Sequence, residues 1–127
     1  MKKKIFSLLL VVSLMMAFTV TSFAYHSEYD SFNIHHMECE GIFILAKDMD
    51  SNDDKLDLTI VIDDQDAPYM IEVFDLTAHE LVYSNIFTGN MSEETIFRHI
   101  NYKHSYKIRI INRSPDPIRG YIEVEVF

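Results

Sequence analysis

The sequence predicts an all-β protein, an antiparallel β-sandwich of about seven to eight strands with immunoglobulin-like or jelly-roll-like architecture, preceded by a signal peptide. Three observations predict this. From Glu38 onward, apolar and polar residues alternate over short runs, the period of a strand whose successive side chains point to opposite faces. Turn-forming residues separate these runs at short intervals, the spacing of a sandwich. No run of helical period extends beyond two turns.

The chain opens MKKKIFSLLLVVSLMMAFTVTSFA. Lys2, Lys3 and Lys4 precede an apolar stretch from Ile5 to Val20, and the small residues Ser22 and Ala24 flank Phe23. That is the pattern of a secretory signal peptide cleaved after Ala24. A membrane anchor of similar length would carry basic residues beyond the apolar run, and none stand there. Cleavage would leave Tyr25 to Phe127, 103 residues, enough for one domain with a modest core. The expected organisation is a signal peptide over 1–24, an N-terminal arm or edge strand over 25–37, and the sandwich over 38–127. The expected location is extracellular or in the cell envelope.

Seven strands are predicted: Gly41 to Ala46, Leu56 to Asp63, Tyr69 to Leu76, Glu80 to Phe87, Thr95 to His99, Tyr106 to Asn112 and Tyr121 to Val126. Alternation assigns their inward faces. Leu56, Leu58, Ile60 and Ile62 form one buried set; Tyr106, Ile108 and Ile110 another; Ile122, Val124 and Val126 a third. Lys107, Arg109, Glu123 and Glu125 then face outward. One wet face per strand suits two antiparallel sheets packed together, not a parallel sheet covered on both sides. Thr77-Ala78-His79 makes a hairpin-length connection, Gly89-Asn90 supplies positive-φ options, and Ser114-Pro115-Asp116-Pro117 takes the chain out of any ladder.

Net charge bounds the partners. It is −9 for the whole chain, and losing the three leader lysines would take it to −12. Such a surface repels phosphate backbones and anionic lipid, so neither nucleic acid nor, after signal cleavage, a membrane is an expected partner. A protein or cell-surface partner is. The single cysteine, Cys39, leaves no intramolecular disulfide, so stability must come from packing and hydrogen bonds. In E-C-E-G-I-F it reads as a small buried hydrophobe beside a strand.

Three segments, Tyr69 to Ser84 (YMIEVFDLTAHELVYS), Glu94 to Asn112 (ETIFRHINYKHSYKIRIIN) and Ile118 to Val126 (IRGYIEVEV), resemble the bacterial pre-peptidase C-terminal domains. Those domains commonly show a Val-x-Leu/Phe-Asp … Leu-Val hairpin, a Tyr-led strand and a closing Gly-Tyr-x-x-x-Val strand; the similar runs here are Val73-Phe74-Asp75 … Leu81-Val82, the strand led by Tyr106, and Gly120-Tyr121-Ile122-Glu123-Val124. The glycine-rich lead-in usual before the Tyr-led strand is replaced here by Asn101-Tyr102-Lys103-His104-Ser105. The resemblance implies a secreted, non-catalytic sandwich, and it carries over no active-site residues.

Candidate chemistry begins with KDMDSNDDKLD, Lys47 to Asp57. Counting Asp48 as position 1 of an EF-hand loop puts Asp50 at 3 and Asn52 at 5, but Asp53 then stands at the glycine position, Leu56 at 9 and Thr59 at 12. The second half already belongs to a strand. A looser calcium cage of Asp48, Asp50, Asn52 and Asp54, with Asp57 as a further donor, competes with a solvated tip whose aspartates cap their own backbone. A second set, His35, Met37 and Cys39, would share one face of an extended segment and offer N and S donors to copper or zinc, with His26 and the α-amino group of Tyr25 as additional nitrogens. Core packing is the competing role of Met37 and Cys39.

His79-Glu80-Leu81-Val82-Tyr83 falls one residue short of a zincin motif, with Tyr where the second histidine is needed and strand alternation where a helix is needed. No G-x-S-x-G elbow occurs, and Gly41, Gly89 and Gly120 are too scattered for a phosphate loop. Tyr83, Tyr102 and Tyr121 are the tyrosines that could serve a carbohydrate platform. The expectation is a non-enzymatic module with no catalytic, cofactor or metal residues assigned.

Overall fold

The computed structural model describes residues 26–127. The predicted signal peptide, residues 1–24, lies outside the described residues. Eight strands follow one another: β1 (His26–Ile34), β2 (Cys39–Ile44), β3 (Lys55–Ile62), β4 (Tyr69–Asp75), β5 (Glu80–Phe87), β6 (Met91–Arg98), β7 (Tyr106–Asn112) and β8 (Ile118–Val126). They form two four-stranded sheets. Sheet A has the order β1-β8-β3-β6 and sheet B the order β2-β7-β4-β5, and every pairing is antiparallel. The chain switches sheet at every connection except the β4–β5 hairpin. That wrapped order is the jelly roll, one of the two architectures the sequence leaves open.

The segment read as an arm or an edge strand is β1, paired along its whole length with β8 from His26↔Val126 to Ile34↔Ile118. Phe32 and Ile34 are buried, so the sandwich begins at β1 and not at residue 38. The inward sets of β3, β7 and β8 are all buried, with Leu56, Leu58, Ile60, Ile108, Ile110, Val124 and Val126 inaccessible to solvent. Each such side chain contributes about 1.5–3 kcal/mol by leaving water.

Two strands are longer than alternation predicts. β8 starts at Ile118 and β6 at Met91. In β6 the period-two signal is broken because the ladder with β3 shifts register twice, between Leu56 and Asp57 and between Leu58 and Ile60. A bulge inserts one residue and flips the parity of everything beyond it. Met91 and Ile96 are therefore both buried although they stand five positions apart, an odd offset that strict alternation would put on opposite faces.

Gly120 marks the closest approach of two strands. It pairs with Phe32 on one side and Ile62 on the other, and a Cβ there would lie 1.8 Å from the Val61 carbonyl oxygen. Asn112, at the end of β7, is fully buried and fully used. Its Nδ2 donates to the carbonyls of Ile34 (3.0 Å) and Asp116 (2.7 Å), and its Oδ1 accepts from the Ser114 N–H (2.8 Å). One amide thus ties the end of β1 in sheet A to β7 in sheet B.

Candidate interaction surfaces

The outer faces of the two sheets differ in kind. On sheet B the registers align three rows across the four strands in the order β2, β7, β4, β5. The first is Cys39, Ile111, Met70, Ile86; the second Gly41, Arg109, Glu72, Ser84; the third Phe43, Lys107, Phe74, Leu81. The outer rows are thus mainly apolar, and the middle row is polar. Ile86, Phe43 and Leu81 are 51%, 49% and 47% exposed. Four strands about 4.8 Å apart, each contributing five residues at about 3.3 Å, make a face of roughly 19 by 17 Å, with apolar side chains exposed in its two outer rows.

An ion pair spans the middle row. Arg109 Nη2 donates to Glu72 Oε1 at 2.7 Å, and the guanidinium lies 5.1 Å from the Phe74 ring centroid. Hydrogen bonding to the largely buried Glu72 raises the Arg109 pKa above its ordinary value, against the opposing effect of burial. Lys107 folds across Gly41, where an added Cβ would meet its Cε at 2.8 Å, and its ammonium sits 5.4 Å from the Phe43 ring. The lysine stem thereby covers apolar surface while its head stays wet.

Sheet A presents the opposite chemistry. Its outer face carries Asp57 opposite Glu125 and Thr59 opposite Glu123, with Thr95 Oγ1 donating to Asp57 Oδ1 at 2.5 Å and the Glu93 N–H to Thr59 Oγ1 at 3.1 Å. Burial, followed by the negative charges of Glu123, Glu93 and Asp57, raises the Glu125 pKa. A carboxyl raised on folding contributes stability that is complete below its unfolded pKa and is lost as pH rises through its folded value. Glu125→Gln should therefore stabilise the protein at neutral pH by about 0.5 kcal/mol, a rise of about 2–4 °C in Tm. Melts followed by circular dichroism should show that advantage vanish as the pH falls below the ordinary glutamate range.

The candidate metal sets are not assembled among the described residues, and the Tyr25 α-amino group lies outside them. Among the described residues, no group of three or more His, Cys, Asp or Glu side chains is placed to hold a metal ion. In the acidic connection Asp53 Oδ2 accepts from the Asp50 N–H at 2.8 Å, and Asp54 is bound at both backbone groups, its N–H donating to the Phe127 carbonyl and its carbonyl accepting from Ile100. Asp48 instead turns toward a cleft of about 270 Å³ between β1 and β2, which Glu28 and Asp30 also line. Asn52 stays in the exposed turn, and Asp57 lies on the outer face of sheet A.

His35, Met37 and Cys39 do not share a face, because the segment is not extended. The chain crosses between sheets there through a turn at His36 and Met37, closed by the Glu38 N–H donating to the His35 carbonyl, with Met37 at φ 63°. His26 lies at the far end of β1. Cys39 is exposed, contrary to the buried reading. Ile42 and Ile44 fill the inward positions of β2, so parity places Cys39 outward, beside Arg109. The tyrosines do not form one platform. Tyr83 packs against the core, Tyr121 pairs with Tyr29 on sheet A, and Tyr102 lies in a loop.

A His–Asp pair escapes sequence reasoning altogether. His104 Nδ1 stands 2.6 Å from Asp75 Oδ2, and Asp75 Oδ1 accepts from the Ala78 N–H at 2.9 Å. Burial pushes the Asp75 carboxyl up, but the hydrogen bonds from His104, Ala78 and Thr77 and the His104 charge outweigh it and hold the pKa below its ordinary value. The neighbouring Ser105 hydroxyl accepts from the Ala46 N–H at 3.0 Å. The pair pins the β4–β5 turn to the β6–β7 connection.

No family model and no curated protein sequence matches the chain. Among solved structures it is similar to the Yersinia pseudotuberculosis-derived mitogen, with a TM-score of 0.51 and 10% identity over 80% of this chain and 84% of that one. At that identity the likeness shows a common β-sandwich fold.

Proposed function

We propose that the protein is a secreted, non-catalytic interaction module that docks a protein partner on the outer face of sheet B. The observation carrying this reading is the two apolar rows, with Phe43, Leu81 and Ile86 about half exposed on the face of an antiparallel sandwich that ordinarily meets water. The exposed apolar side chains of the two outer rows are the kind of anchor that, once desolvated, carries most of the binding energy of an interface. The Arg109–Glu72 pair, immobilised before any partner arrives, offers that partner a preset hydrogen-bonding register. With a net charge of −12 once the three leader lysines are lost, the secreted chain favours a partner whose apolar patch is ringed by basic residues, since attraction between unlike surfaces speeds encounter.

Site-specific photo-crosslinking in cells that produce the protein tests this. A photoreactive residue at Phe43 should yield an adduct with a second protein species, whereas one at Ser31 or Arg119, exposed on sheet A, should yield none. Equal adducts from both faces, or none from Phe43, would overturn the reading.

A further inference from the structure

The four edge strands of the sandwich are not equally protected. An edge presents unpaired backbone donors and acceptors, and proteins usually guard it with charges, proline, bulges or inward-pointing ionised groups. In sheet A, β1 carries Glu28 and Asp30 at the mouth of the acidic cleft, and β6 carries Glu93, Glu94 and Arg98 along a ladder with two register shifts. In sheet B, β2 carries Glu40 and lies across that same cleft from β1. The other edge of sheet B, β5, has one register shift, between Val73 and Phe74, as its guard and no charge beyond Glu80. Its residues Leu81 to Phe87 include no charged side chain and no proline, and Ser84, Asn85 and Ile86 are all exposed. The Ile86 N–H takes the side-chain oxygen of Asn85 at 2.9 Å, a local substitute for the neighbour an interior strand would have.

We infer that β5 pairs with β5 of a second copy, antiparallel about a two-fold axis at Ser84, joining two copies of sheet B into one eight-stranded sheet. The argument for a second copy is electrostatic and geometric. A chain of net charge −9 repels itself over most approaches, and Leu81 to Phe87 is a stretch where two copies meet without opposing carboxylates. Antiparallel pairing about a two-fold is self-complementary, so one strand supplies both sides of the ladder. Centring on Ser84 sets Tyr83 opposite Asn85 and Val82 opposite Ile86 of the other copy. The two Glu80 carboxylates, the first charges reached, then lie at opposite ends roughly 26 Å apart at strand spacing, well beyond the Debye length at physiological salt. The register shift between Val73 and Phe74, which leaves Val82 unpaired with β4, bends the strand and confines regular pairing to its central residues. A short ladder implies a dimer that dissociates on dilution.

Sedimentation velocity of the purified protein from about 1 to about 500 µM tests the inference. A concentration-dependent dimer is expected. Ser84→Lys should weaken it at least about tenfold, because like charges directly opposite across a ladder repel. Ser31→Lys, with the same change in net charge on β1 of sheet A, should leave it unchanged. Adding a lysine lowers the overall repulsion, so a loss of dimer in Ser84→Lys alone points to β5. A monomer throughout the range, or a dimer indifferent to both Ser84→Lys and Ile86→Lys, would overturn the inference. Phe43 lies on β2, across the sheet from β5, and a second copy doubles the chain mass, so this result separates cleanly from the crosslinking experiment.

Discussion

Gly120→Ala should abolish cooperative folding or lower the melting temperature by more than about 20 °C, an effect of roughly 4 kcal/mol or more. The new Cβ would stand 1.8 Å from the Val61 carbonyl oxygen and 2.8 Å from its carbonyl carbon. Both atoms are backbone, so relief requires β8 to separate from β3. These are the two central strands of sheet A, and moving them would expose the Ile60 and Ile122 core as well as the ladder. The contrast is Gly41→Ala. Its Cβ would meet only the flexible Lys107 Cε at 2.8 Å, and the stem can swing aside, so a change within about 0.5 kcal/mol is expected. Thermal melts of both variants check the pair of outcomes, and equal effects would refute the argument from close approach.

Asn112→Ala should destabilise by about 3–5 kcal/mol, the cost of leaving several buried backbone groups without partners. The carbonyls of Ile34 and Asp116 lose their donor and the Ser114 N–H its acceptor. Asn112→Asp should be worse than alanine although it is nearly isosteric. It replaces the Nδ2 donor with an oxygen aimed at two carbonyl oxygens and adds a charge to a site with no solvent exposure. Urea titration of the three proteins gives the order directly. An aspartate variant as stable as wild type would mean that the amide does not tie the sheets together.

Much of the fold could be read from the chain, because alternation and turn chemistry report burial directly. The inward sets of β3, β7 and β8 follow from period two alone. Alternation failed where parity or direction changed. Bulges erased the signal of β6, and a left-handed turn at Met37 broke an extended reading that would have aligned His35 with Cys39. Parity counted back from Ile42 and Ile44 would have placed Cys39 outside. The outer face of sheet B was partly visible, since Tyr69-Met-Ile-Glu-Val-Phe-Asp is nearly continuous in apolar residues, as a strand contacted on both sides would be. What could not be read was the alignment of Met70 with Ile111 and Ile86 in one row, which depends on pairings between distant strands. The His104–Asp75 contact, spanning 29 residues, was hidden for the same reason.

The pairing of His26 with Val126 also dictates an order of events in time. β1 is the first described strand, and its sheet partner β8 is the last. During synthesis from the N-terminus, the middle of sheet A is missing until β8 emerges, and β1 and the β8-facing edge of β3 wait unpaired. Closing a loop of that length before its contacts can form slows folding toward the millisecond-to-second range of non-local β topologies. Sheet A thus stays incomplete for as long as β8 is withheld.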